Sequence, residues 1–236
     1  MKSIKNWDNK TWLSSKDYIN SFNNFLINNA KLKSKSKILD IGCGRGKILG
    51  DLYTKLKLKY KPIGIDTENH KDKEKKIFFK KSDAVKFLEN DDNCYDLILI
   101  KQTIHLLKIN QIKRLIKLCK KNLSSKGKIF ILTLDYKNNE IPTFKLMKKN
   151  LQKSFIRDEK ILKMLKKENK NAKMKKFIYT VEILKKRYLQ MISNRYISTL
   201  LNFKANELKK GIDEIKLNFK KKIVFKDKLL CLILTK

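Results

Sequence analysis

The chain reads as an α/β protein built on a doubly wound, mostly parallel sheet whose last strand runs antiparallel. Three observations lead there. Ile38-Leu39-Asp40-Ile41 runs into Gly42-Cys43-Gly44-Arg45-Gly46, so three of the chain's seven glycines fall within five residues directly after an apolar run. Apolar strand-length runs then alternate with helical patterns as far as Leu134, the order that produces a parallel sheet covered on both faces. Finally, Lys222 to Phe225 and Leu229 to Leu234 are two β-type runs joined only by Lys226-Asp227-Lys228. So short a connector makes a hairpin, and the pair it joins is antiparallel.

Each element has its own signal. Tyr18, Phe22, Phe25 and Leu26 recur at helical spacing and predict an amphipathic helix over 17–30. Strand one is Ile38 to Ile41, and the pattern Ile48, Leu49, Leu52, Leu56 predicts the helix that follows. Strand two is Pro62 to Ile65, closed by Asp66. Strand three is Ile77 to Phe79, with a short helix from Ala84 to Leu88 after Asp83. Strand four is Tyr95 to Ile100, and a helix over 111–123 ends at Ser124-Ser125-Lys126-Gly127. Strand five is Lys128 to Leu134. The Lys-rich stretch from Phe144 to about Leu201 reads as mostly helical with no clear strand, and Ala205 to Ile215 as one more helix.

Composition narrows the function classes. At 236 residues the chain is long enough for one well-buried domain with additions. No apolar run approaches the roughly 20 residues of a membrane span, and residues 1–12 contain no secretory h-region. Four separated cysteines and two histidines make neither a disulfide framework nor a zinc motif, so no metal is expected and a cytoplasmic location is the default. The net charge of +35 invites a nucleic-acid reading. Yet only five of the 58 basic residues are Arg, the residue suited to bidentate phosphate recognition, and Asn and Ile are also abundant. Compositional bias therefore accounts for the charge better than a polyanionic partner does.

The ordered motifs resemble those of the class I S-adenosylmethionine-dependent methyltransferases over about residues 36–135 and 205–236. Ile38 through Gly46 matches the first motif of that family in full. Ile63-Gly64-Ile65-Asp66 resembles the second, Ser82-Asp83-Ala84 the third, and Tyr95 through Ile100 the fourth. A dinucleotide fingerprint starting at Gly42 would instead require glycine where Lys47 stands. The resemblance implies a seven-stranded sheet, S-adenosyl-L-methionine as cofactor, and a cofactor site of Asp40, Gly42, Cys43, Gly44, Asp66, Thr67, Ser82, Asp83, Ala84, Lys101 and Gln102. Asp66 would accept both ribose hydroxyls, and Asp83 would reach the adenine amino group. Taken singly, Asp66 and Asp83 read better as helix caps or turn formers; the ordered set of motifs favours the cofactor reading.

The resemblance also implies that the loop after strand four, Lys101-Gln102-Thr103-Ile104-His105, borders the acceptor. His105 is the candidate general base there, because imidazole titrates near neutrality; packing against Leu106-Leu107 is its alternative. The loop lacks the Asn/Asp-Pro-Pro-Tyr/Phe arrangement of enzymes that methylate exocyclic base amines. Acceptor recognition is expected from added parts: an N-terminal helical cap (1–35) carrying Trp7, Trp12 and Tyr18, and an insertion (144–204) between strands five and six carrying Tyr188, Arg195 and Tyr196. These aromatic residues read also as core at helical spacing. An Arg among tyrosines suits a carboxylate or phosphate. The expected partner is a small-molecule acceptor, carboxylate-bearing on the Arg195 reading. The alternative is RNA or another large anion held by the lysines of the insertion.

Overall fold

The computed structural model describes residues 11–236; Trp7 and most of the first ten residues' share of the expected cap lie outside them. In chain order the elements are α1 (Lys16–Ala30), β1 (Ile38–Ile41), α2 (Lys47–Lys55), β2 (Ile63–Asp66), β3 (Phe78–Lys81), α3 (Ala84–Glu89), β4 (Tyr95–Lys101), α4 (Ile109–Lys121), β5 (Leu123–Leu134), α5 (Lys145–Lys167), β6 (Lys173–Leu184), α6 (Lys185–Ser193), α7 (Ala205–Asn218) and β7 (Lys222–Leu234). Short 3-10 turns occupy Trp12–Ser14, Ile104–Leu106 and Ser198–Leu200.

The sheet has seven strands in the order β3-β2-β1-β4-β5-β7-β6. The β1–β2, β1–β4, β2–β3 and β4–β5 pairs are parallel, while β7 runs antiparallel to both β5 and β6. The fold is therefore the expected doubly wound sheet with one reversed strand. Period-two alternation divides its strands between two cores. Leu97, Leu99, Phe130 and Leu132 face α1, α2, α6 and α7, whereas Ile98, Ile100, Ile129 and Ile131 face α3, α4 and the C-terminal half of α5. On α1 the predicted stripe holds: Tyr18, Phe22 and Leu26 are fully buried. Ser15 caps that helix by accepting from the Tyr18 backbone N–H at 3.2 Å.

Two expectations are corrected at the C-terminal end. The stretch 144–204, expected to hold no strand, contains β6, and its helical parts fall on both sides of that strand. Phe177, Val181 and Ile183 point inward and are buried, while Ile178, Thr180 and Glu182 face out. This is a strand period in a β-branched and aromatic run. The second correction concerns Lys226-Asp227-Lys228, which is no hairpin turn. β7 runs unbroken through it, with Asp227 opposite Tyr179 of β6 and 1% exposed. The side chains of 223, 225, 227 and 229 all point inward, and the antiparallel partners of β7 are β5 and the distant β6. Because Leu229 already pairs with Leu134 at the end of β5, residues 222–228 and 178–184 continue as a two-stranded ribbon past the carboxyl edge of the parallel strands.

Candidate active site

The glycine loop leaves β1 and docks on the end of β2. The Ile65 carbonyl accepts from the backbone N–H of Gly42 at 2.8 Å and of Cys43 at 3.1 Å. Gly42 and Gly44 both have positive φ, +76° and +56°, a region glycine enters without steric cost. Their surroundings differ. A Cβ on Gly42 would lie 2.2 Å from Thr103 Oγ1, whereas a Cβ on Gly44 would meet nothing within 4 Å. The backbone at Gly44 thus faces open space.

Asp66 closes the loop from β2. Its Oδ2 accepts from Gly44 N–H and its Oδ1 from Glu68 N–H, each at 2.9 Å, and His70 Nε2 stands 3.6 Å from Oδ1. Burial alone would raise its pKa, but the bonds from His70, Glu68 and Gly44 outweigh that effect and hold it below the usual carboxylate value. Asp66 is therefore an anion. Asp83 caps α3, its Oδ1 accepting from Val85 and Lys86 N–H at 2.9 and 3.1 Å. Ser82 bonds its N–H to the Asp66 carbonyl at 2.9 Å, Ala84 begins α3, and Thr67 is exposed beside Asp66. The structure thus brings the expected acids and their neighbours together along the edges of β1, β2 and β3.

At the end of β4, Gln102 takes a positive φ of 51° while its N–H reaches the Leu132 carbonyl at 2.8 Å. The Lys101 ammonium lies 5.5 Å from the ring centroids of both Tyr18 and Phe22 and donates to Gln102 Oε1 at 3.2 Å. Asp40 is 3% exposed, and its Oδ1 has no hydrogen-bond partner. Burial pushes its pKa up to about 7, against the pull of Lys101 and with the repulsion of Asp66. His105 sits in the turn after β4. Burial, and then the charge of Arg157, lowers its pKa to about 4, so the imidazole is neutral at physiological pH.

The residues expected to recognise the acceptor separate into two groups. Tyr188 donates to the Pro142 carbonyl at 2.5 Å and lies 3.1 Å from the Tyr196 hydroxyl. Arg195, with φ +54°, donates to the carbonyls of Leu200 and Leu201. Tyr188 and Arg195 therefore tie the 185–204 segment together, and the guanidinium expected to meet an anionic group is engaged with main chain. Trp12, Tyr18 and Tyr196 instead converge on Asp227, a residue the sequence reading treated as part of a turn. Trp12 Nε1 donates to Asp227 Oδ2 at 3.0 Å, and its ring meets Tyr196 and Phe225 edge-on at centroid distances of 5.4 and 5.1 Å. Burial, then the charge of Asp227 and the hydrogen bond between the two side chains, raise the pKa of the Tyr18 phenol.

An open glycine backbone, an anionic carboxylate one strand over and a capped helix start on the third strand, all at the carboxyl edge of a doubly wound sheet, define an enzyme that holds a nucleoside-bearing cofactor. Residues 32–195 match the family described as Methyltransferase domain. The chain belongs to that family and is an S-adenosylmethionine-dependent methyltransferase. Solved structures share the fold. The plantazolicin methyltransferase BpumL, in complex with a monoazolic desmethylPZN analog and SAH, aligns with a TM-score of 0.53 at 18% identity, covering 98% of this chain and 88% of that one. A protein from Anabaena variabilis assigned as a methyltransferase of an antibiotic biosynthesis pathway gives 0.60 at 15% identity, with 91% and 96% covered. A SAM-dependent methyltransferase from Archaeoglobus fulgidus gives 0.53 at 18%, with 92% and 94% covered. No curated protein matches the sequence.

The residues present fit that cofactor. The open face at Gly44 admits a ligand against main chain, Asp66 is an ionised acceptor suited to hydroxyl groups, and the unpartnered Asp40 oxygen suits an ammonium. Among the described residues, no helix is long and apolar enough to cross a membrane.

Proposed function

We propose that this enzyme methylates a small-molecule acceptor enclosed between the carboxyl edge of the sheet, α1 and the β6–β7 ribbon. One observation carries the reading: carboxylates and aromatic rings are buried together where α1 and the β6–β7 ribbon meet the end of β4. Asp40, Asp227, Trp12, Tyr18 and Tyr196 are all buried there, in a chain whose net charge is +35. A polyanion would meet repulsion at that place, whereas a small polar molecule would be desolvated and held.

S-adenosylmethionine, when bound, supplies a sulfonium methyl group to a nucleophile. The chain's work is to position both reactants and exclude water. Asp66, kept ionised by His70 and by the Glu68 and Gly44 N–H groups, would accept from the ribose hydroxyls, with Thr67 beside it. Asp83 uses only Oδ1 for its cap, which leaves Oδ2 for an adenine amino group, while Ser82 and Ala84 supply main chain around the ring. Gly42, Cys43 and Gly44 would hold the methionine portion against main chain, Asp40 would meet its ammonium, and Lys101 and Gln102 would border the reacting end. His105, with a conjugate-acid pKa near 4, receives a hydrogen bond better than it retains a proton. Arg195 holds main-chain carbonyls through Nη1, so an anionic acceptor group would meet only its remaining N–H groups.

The test is incubation of the purified enzyme with methyl-labelled S-adenosylmethionine and either a small-molecule extract or an RNA pool from the same cells. Label in the small-molecule fraction, insensitive to moderate salt, is expected. Label confined to RNA would overturn the reading and favour contact through the exposed lysines of α5.

A further inference from the structure

The two edges of the sheet are finished differently. β3 closes one side with four residues, two of them Lys80 and Lys81. β6 closes the other with twelve, Lys173–Leu184. One side of β6 pairs with β7 along its whole length, and among the described residues no strand lies along the other. A long open edge presents a row of unpaired backbone N–H and C=O groups, which natural sheets blunt with lysine, proline, a bulge or brevity. Residues 177–184 of β6 use none of these. Phe177-Ile178-Tyr179-Thr180-Val181-Glu182-Ile183-Leu184 is a run of eight without lysine or arginine, in a chain where 58 of 236 residues are basic. Its ladder to β7 has no shift of register, so no bulge turns the edge away. Along the face that points out, Ile178 and Leu184 are 51% and 53% exposed, and Val224 of β7 is 63% exposed.

We infer that β6 is a self-association edge: two copies of this chain pair antiparallel through it about a two-fold axis perpendicular to the sheet, joining two seven-stranded sheets into one. What completes an open edge is the main chain of another strand, and this segment is complementary to itself. With Tyr179 on the axis, Lys176 of each copy lies opposite Glu182 of the other, and Met174 opposite Leu184. Opposite charges and apolar side chains thus meet in matched cross-strand pairs. Moving the axis to Thr180 would set Glu182 opposite Ile178 and Lys176 opposite Leu184, so the charges select the first register. Lys176 already stands 3.4 Å from Asp135, and Glu182 bonds to Lys222, so the new pairs extend existing ones. The pairing ends where Lys173 would meet Lys185. Each chain has one such edge, so the symmetry closes at two copies. Each copy also carries a net charge of +35, a long-range repulsion that salt screens. Dimerisation therefore strengthens as salt is added, the reverse of attachment to a polyanion.

Sedimentation velocity of the full chain is measured at increasing protein concentration in about 0.05 M and about 0.5 M salt. Expected is a monomer–dimer equilibrium whose dimer fraction rises with concentration and with salt. Ile178→Lys combined with Thr180→Lys places cations beside the axis on the exposed face and should raise the dissociation constant at least about tenfold. The melting temperature of the dilute protein and its affinity for S-adenosylhomocysteine should not change. Glu182→Lys alone sets lysines opposite each other and should also weaken the dimer, while Glu182→Lys combined with Lys176→Glu should restore it. If the first pair of substitutions disturbs folding, the charge exchange decides alone. A wild-type chain that stays monomeric at every concentration and salt, or a dimer indifferent to both sets of substitutions, overturns the inference. A dimer weakened by Glu182→Lys but not restored by the exchange overturns the two-fold register.

Discussion

Alanine at Gly42 and at Gly44 should fail in opposite ways. Both positions need the left-handed region, which costs a non-glycine residue about 1–2 kcal/mol. At Gly42 the new Cβ also lies 2.2, 2.6 and 2.9 Å from Thr103 Oγ1, Cγ2 and Cβ, and Thr103 is fixed by its 3.0 Å bond to the Lys101 carbonyl. Moving it adds overpacking of about 1–3 kcal/mol, so Gly42→Ala should cost about 2–5 kcal/mol in all. For a chain of this size that lowers the melting temperature by roughly 4–20 °C. Gly44→Ala pays the conformational cost alone, a fall of about 2–8 °C, because no atom is within 4 Å. Its methyl group enters the space assigned to the cofactor, so affinity for S-adenosylhomocysteine should fall at least about tenfold, judged by one lost close contact surface. Thermal melts and titration calorimetry on the two variants measure both effects. Equal destabilisation by the two substitutions, or wild-type binding by a folded Gly44→Ala protein, would refute the reasoning.

Other substitutions report on individual charges. Asp40 has its pKa raised from 3.8 to about 7, so its penalty is absent below pH 3.8, grows through the interval and is complete above 7. Asp40→Asn should therefore raise the melting temperature at pH 8 while weakening S-adenosylmethionine binding, and a lower melting temperature would contradict this. His105 has its pKa lowered from 6.5 to about 4; the unfolded chain binds the extra proton in that window, and stability falls by up to about 3 kcal/mol as pH drops through it. His105→Gln should flatten the melting temperature between pH 6.5 and 4.5 and leave no rate limb near pH 6.5 to be lost. Arg195→Ala removes bonds to the Leu200 and Leu201 carbonyls and should cost about 1–3 kcal/mol of stability without changing the apparent KM for the acceptor.

The donor half of the molecule was legible because its signals are local. A glycine loop, an acid at the end of each of three strands and the apolar runs between them occupy fixed offsets, and β1, which leads into the loop, is buried along its whole length. The acceptor half depends on contacts far apart in sequence. Trp12 meets Asp227 across 215 residues, which no spacing rule registers. Lys226-Asp227-Lys228 has the composition of a turn, yet Ile223, Phe225, Asp227 and Leu229 keep the two-residue period of a strand. Following that period through the acid would have placed Asp227 inside. The same period in Phe177, Tyr179, Val181 and Ile183 identifies β6, which the surrounding lysines hide among helix-favouring composition. Tyr188 and Arg195 illustrate the converse: scarce, conspicuous residues whose partners are main-chain carbonyls.

Titration calorimetry with S-adenosylhomocysteine on the wild type and on Asp66→Asn tests the donor site most directly. The wild type should bind one equivalent, and Asp66→Asn, with its charge removed and its fold confirmed by thermal melt, should bind about ten- to a hundredfold more weakly. No binding by the wild type, or equal affinity in the two proteins, would contradict a cofactor site built on the glycine loop and the end of β2.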